Sequence, residues 1–128
     1  MGEEVEVQQE KYLDMGTAIS GSGPAYIFLM TESLVDAAVH LGFPRDIATR
    51  LAIATIQGSA SYARQSDASL YDLRARVTSP GGTTASAMYE LEKGGFRTVM
   101  SNAVWAAYRR SLELGEKNPN IGPGRNKF

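Results

Sequence analysis

A run of six residues, Ser79-Pro80-Gly81-Gly82-Thr83-Thr84, is the stretch of this chain best equipped for chemistry. It stands just before a segment of helical periodicity. The unpaired N–H groups of a helix start and the positive end of its dipole there make an anion site. Gly81 and Gly82 let a ligand reach the backbone, while the hydroxyls of Ser79, Thr83 and Thr84 can donate or accept hydrogen bonds. The run lacks the Gly-Lys-Ser/Thr ending of a Walker A loop. With no lysine, it suits a monoanionic carboxylate better than a triphosphate. The competing reading is a plain turn with Thr83 as helix cap, and spacing alone favours neither.

A second glycine-rich run, Ser20-Gly21-Ser22-Gly23-Pro24, also precedes a helical segment. No strand is predicted ahead of it, so a Rossmann reading fails its own context test. Neither run by itself names a substrate. Other polar residues have plainer explanations. Arg74 and Arg76 could draw an anion toward Ser79 but read better as a solvated face. Glu90 and Glu92 sit on a helix surface, and His40 ends a helix, where the dipole favours a cation.

Composition narrows the chemistry further. The chain has 128 residues, enough for one domain. Its 13 basic and 14 acidic residues leave a net charge of −1, which makes no electrostatic case for nucleic acid or an anionic membrane. It has no cysteine, which excludes a disulfide framework, a thiol nucleophile and Cys-type zinc sites. A single histidine makes a His-based metal cluster or a Ser-His-Asp relay a poor expectation, so no metal is expected. No segment approaches the roughly 20 apolar residues of a membrane span, and no signal peptide follows Met1. The expectation is a soluble cytoplasmic domain. The length cannot hold both a dinucleotide-binding fold and a substrate domain. In a redox enzyme this chain would be one part.

The elements that must position the two runs are helices. Residues 1–9 read as a frayed lead-in, and Glu10 to Ala18 as a short helix. Pro24 is suited to open the next helix, with Ser22 or Gly23 in the cap region and Ile27, Thr31, Leu34, Ala38 and Leu41 inward. Gly42-Phe43-Pro44 stops it. A helix from about Pro44 to Arg64 carries Ile47, Leu51, Ala54, Gly58 and Tyr62 on one face, with Ile53 and Ile56 beside it, and is expected to be buried on most sides. Ser69 caps a short helix bearing Leu70, Leu73 and Val77. A helix from about Thr83 to Lys93, with Ala87, Met88 and Leu91 inward, ends at Gly94-Gly95 in an αL cap. The last helix, Phe96 to Leu114, is expected to bury Phe96, Val99, Met100, Ala103, Ala107 and either Trp105 or Leu114, and Gly115 terminates it. Residues 116–128 read as a disordered tail. The fold class is therefore all-α, with a helical domain over residues 10–115. Its apolar faces exceed what one copy readily covers, which points to a homodimer packed through the small residues around Ala54 and Gly58.

In order and spacing these stretches resemble the C-terminal domain of the pyrroline-5-carboxylate reductase family. The residues that carry the likeness are Thr17-Ala18-Ile19-Ser20-Gly21-Ser22-Gly23-Pro24-Ala25-Tyr26, Gly42-Phe43-Pro44 and Val77-Thr78-Ser79-Pro80-Gly81-Gly82-Thr83-Thr84. Leu91-Glu92-Lys93-Gly94-Gly95-Phe96-Arg97 and Asn102-Ala103-Val104 continue it. The resemblance implies an interleaved helical homodimer beside an N-terminal Rossmann domain that this sequence lacks. It implies that pyrroline-5-carboxylate, or proline as product, rests its carboxylate on Ser79, Pro80, Gly81 and Gly82, with Thr83 alongside. Thr84, as the catalytic threonine, would meet the ring nitrogen, and Ser20, Gly21, Ser22 and Gly23 would lie near the nicotinamide. Hydride passes from NAD(P)H to the imine carbon in such an enzyme. Lacking the cofactor domain, this chain alone is expected to hold no NAD(P)H stably and to be inactive. The alternatives are a stand-alone helical homodimeric module and a carboxylate-binding module that has lost the chemistry.

Overall fold

The computed structural model of the chain describes residues 10–78 and 82–124. In order these form α1 (Glu10–Gly16), a π-helical turn (Thr17–Gly21), α2 (Gly23–Leu41), α3 (Arg45–Gln65), α4 (Leu70–Thr78), α5 (Gly82–Lys93) and α6 (Phe96–Leu114). No strand occurs among the described residues, so the all-helical expectation stands. Among them, too, no helix is long and apolar enough to cross a membrane. The lead-in at residues 1–9 lies outside the described residues.

Local chemistry sets the breaks. At the end of α2, Gly42 takes a φ of +130°. Its amide returns to the Val39 carbonyl at 3.0 Å, and that of Phe43 to the Ala38 carbonyl at 3.1 Å. This is a Schellman turn, and Pro44 beyond it cannot continue the helix. Ser69 caps α4 as expected, its hydroxyl accepting from the Asp72 amide at 3.1 Å. Gly95, at φ +75°, separates α5 from α6 in the left-handed conformation that glycine adopts without strain.

The helices sort into two compact units. Among the described residues, one joins 10–26 to 95–124, and the other is Ile27–Gly94. In the first, Ala18, Tyr108 and Leu112 form a buried cluster, flanked by Val104, Trp105 and Ala107. In the second, Val35 of α2 packs on Ala48 and Ala52 of α3, with Ala38 and Val39 beside them.

Several expected inward faces are open instead. Ile27, Leu34, Leu41, Ile47, Leu51, Tyr62, Leu91, Phe96 and Val99 are exposed, as is Phe28 at 66%. The expectation that α3 is buried on most sides is corrected: only Ala48 and Ala52 are buried along it. Ala54 and Gly58 face open space, since a Cβ at Gly58 would meet nothing within 4 Å. Helical period does locate an apolar stripe, but burial needs a second surface against it.

After α6 ends at Leu114 the chain makes a further turn. Glu116, at φ +58°, occupies the left-handed position of a second Schellman turn. Its amide donates to the Glu113 carbonyl at 3.0 Å, and that of Lys117 to the Leu112 carbonyl at 2.7 Å. Residues up to Gly124 then run back to α6, where Arg109 donates to the carbonyls of Ile121 and Pro123.

Candidate functional site

The first turn of α5 holds Gly82, Thr83 and Thr84, while Ser79, Pro80 and Gly81 lie outside the described residues. The first N–H groups of any helix lack intrahelical partners. No acidic side chain stands in this turn to repel an anion. Gly82 and Thr83 are exposed, and Thr84 is half-buried. A Cβ at Gly82 would meet no atom within 4 Å. On the near side, α4 ends at Thr78, whose hydroxyl is engaged with the Arg74 carbonyl at 2.8 Å. Helices α4 and α5 are in contact with each other.

Of the two arginines before the loop, Arg76 donates to the Tyr62 hydroxyl at 3.4 Å. The Arg74 guanidinium lies 5.2 Å from the centre of the Tyr71 ring. Both arginines are exposed, in keeping with a solvated face. Among the described residues no group of three His, Cys, Asp or Glu side chains could hold a metal ion.

The second run is not the loop its glycines imply. Ser20 and Gly21 complete the π-helical turn, and Gly23 already begins α2. The defining bond runs from the Ser22 amide to the Thr17 carbonyl at 2.8 Å. Neither Gly21 nor Gly23 has a positive φ, so neither needs glycine's left-handed freedom. A wide turn carries the chain from α1 to a bend at Ser22, after which α2 begins. The Ser20 hydroxyl is engaged with the Gly16 carbonyl at 2.9 Å. The role of Tyr26 here is not legible in the sequence. Its hydroxyl donates to the Ala18 carbonyl at 2.8 Å and ties the start of α2 to the π turn. The spacing of eight residues gives no helical signal that could have revealed it.

With this geometry in hand, comparison with known proteins decides the family. A family model described as pyrroline-5-carboxylate reductase dimerisation matches residues 10–114. The chain belongs to the pyrroline-5-carboxylate reductase family. The pyrroline-5-carboxylate reductase of Synechocystis is 48% identical over 117 residues, covering 91% of this chain and 43% of that protein. That of Pisum sativum is 52% identical over 105 residues, covering 82% and 38%. The chain thus spans about two-fifths of the length of the curated relatives it matches. Among solved structures, Plasmodium falciparum pyrroline carboxylate reductase with NADP bound superimposes with a TM-score of 0.81 at 44% identity, over 84% of this chain and 41% of that one. The 1-pyrroline-5-carboxylate reductase of Streptococcus pyogenes gives 0.83 at 35% identity, over 88% and 43%. The match is to the C-terminal dimerisation region, which contains both glycine-rich runs.

Proposed function

We propose that this chain is the dimerisation and substrate-binding region of a cytoplasmic enzyme that reduces 1-pyrroline-5-carboxylate to L-proline with NAD(P)H. The supporting observation is the family match over residues 10–114, with the open first turn of α5 inside it. In this reading the substrate carboxylate accepts from backbone N–H groups of the Ser79–Thr84 loop, and Pro80 confines the loop's backbone. The Thr84 hydroxyl bonds the ring nitrogen, and Thr83 closes the helix start. Such a site works by positioning: it holds the electrophilic carbon still against the hydride donor.

NAD(P)H supplies that hydride when bound. The described residues do not fit a whole dinucleotide, because no strand exists among them to build the strand–glycine turn–helix unit that cradles a pyrophosphate. Turnover then requires a cofactor-holding unit besides residues 10–124. Ser20, Gly21, Ser22 and Gly23 are the cofactor-proximal candidates, on the strength of the family resemblance.

The partner in dimerisation is a second copy. Between α2 and α3 lies a groove of about 690 Å³, lined by Ile27, Phe28, Val35, Ile53 and Ile56 among others. Covering a large aliphatic or aromatic side chain stabilises by about 1.5–3 kcal/mol, so a few such residues outweigh much of the cost of association.

The site is tested by chemical-shift titration of the labelled protein with L-proline and with cyclopentane carboxylate. Shifts are expected to cluster at residues 79–84. Thr84→Val is expected to weaken proline by about 1.5–3 kcal/mol, the worth of a hydrogen bond to a charged group, and to spare cyclopentane carboxylate. Equal loss for both ligands, or shifts elsewhere, overturns the assignment. Proline and cyclopentane carboxylate both binding at residues 79–84, and both spared by Thr84→Val, would instead favour the carboxylate-binding module.

A further inference from the structure

The stretch after α6 lies beyond the family match, which ends at residue 114. Yet side chains of α1 and α6 hold it. The chain turns back at Glu116, and Lys117 reaches Asp14 of α1 at 2.6 Å. The Asn118 side chain accepts from the Asn120 amide at 3.0 Å, and the Ile121 amide donates to the Pro119 carbonyl at 2.8 Å, bending the segment toward α6. The Arg109 guanidinium then binds it twice, through Nε to the Ile121 carbonyl at 2.9 Å and through Nη2 to the Pro123 carbonyl. The same guanidinium lies 5.5 Å from the centre of the Trp105 ring. Gly122 sits against that ring at φ +79°, where a Cβ would come within 2.7 Å of Cη2. Two independent features, a left-handed φ and a missing side chain, thus select glycine at one residue.

We propose that residues 117–124 form a locking strap that closes over Trp105, tied by the Arg109 fork and keyed by the absence of a side chain at Gly122. The strap joins α1, through Lys117 and Asp14, to α6, through Arg109. Trp105 meets Tyr108 edge-on at 5.7 Å, and Tyr108 is buried with Ala18 of the π turn. Closure over Trp105 therefore supports the α6 face on which the π turn rests. Reach is no obstacle. From Trp105 to Leu114 α6 rises about 14 Å, well within the span of the returning segment.

The test exploits Trp105 as the only tryptophan. Acrylamide quenching and emission maximum are measured on the full chain and on Gly122→Asn, Gly124→Asn and Arg109→Lys. Asparagine tolerates the left-handed conformation, and Gly124, at φ +71°, has open space around it. The pair therefore separates the ring clash from backbone strain. The expected result is a shielded Trp105 in the native chain, quenching that roughly doubles with a red shift in Gly122→Asn, no change in Gly124→Asn, and an intermediate rise in Arg109→Lys. Native quenching equal to that of free tryptophan amide overturns the strap, as does the same response from both asparagine variants. If Gly122→Asn loses its helical circular dichroism, Arg109→Lys decides: raised quenching supports the strap and unchanged quenching overturns it.

Discussion

Asp14 accepts two short hydrogen bonds from residues remote in sequence, from Lys117 Nζ and from Ser111 Oγ, both at 2.6 Å. The Lys117 ammonium first, and then the Ser111 hydroxyl, hold its carboxyl below the usual carboxylate range. A lowered native pKa means that in acid the unfolded chain binds this proton more readily than the folded one. The stabilisation is therefore complete above the ordinary value of about 3.9 and is lost as pH falls through the lowered native value. Asp14→Asn is expected to lower the thermal midpoint near neutrality. The native and variant midpoints should converge as pH drops below about 4, measured by circular dichroism melts across pH. At Glu116 the opposite sign is expected. A non-glycine residue held at φ +58° is strained, and Glu116→Gly should raise stability by about 1 kcal/mol, read from the denaturant midpoint.

At the scale of elements, helix ends follow local chemistry closely. Ser69→Ala removes the hydroxyl that caps α4 and should cost about 1 kcal/mol. Gly95→Ala forces an L side chain into φ +75° and should cost about 1–2 kcal/mol, although its Cβ would meet open space. Both are checked by urea denaturation, and the two losses should add, since the sites share no partner. The π turn obeys a different logic. Glycines at positions 21 and 23 signalled a loop because they are poor helix formers. Packing of Ala18 under Tyr108 and Leu112, with the Tyr26 bond to its carbonyl, holds the chain helical there.

At the scale of the whole molecule, the exposed apolar residues of α2 and α3 put the proposed dimerisation to the test. Phe28 is 66% exposed, so Phe28→Asp should alter the stability of a lone chain by no more than about 0.5 kcal/mol. In a homodimer that covers the α2–α3 groove the same change buries an unpaired charge. It should shift sedimentation from dimer to monomer at micromolar concentration while helical content persists. A native chain that sediments as a monomer, or a Phe28→Asp variant that stays dimeric, contradicts the groove as the interface.

Amino-acid order alone determined the helical class, the breaks at Gly42-Phe43-Pro44 and Gly94-Gly95, the Ser69 cap and the family likeness. Each rests on interactions within a few residues: a missing N–H, a positive φ, a hydroxyl three positions from an amide. The start of α5 was legible for the same reason, in the glycines and hydroxyls around Gly82, Thr83 and Thr84. Only the tertiary structure decided which apolar residues are covered. Val35, Ala48 and Ala52 are buried, whereas the bulkier Leu34 and Leu51 of the same helices are not. It also decided that Asp14 meets Ser111 and Lys117, and that Gly122 lies on Trp105. Such pairings join residues far apart along the chain, and their identity depends on how helices fold back on one another. Neither periodicity nor propensity carries that information.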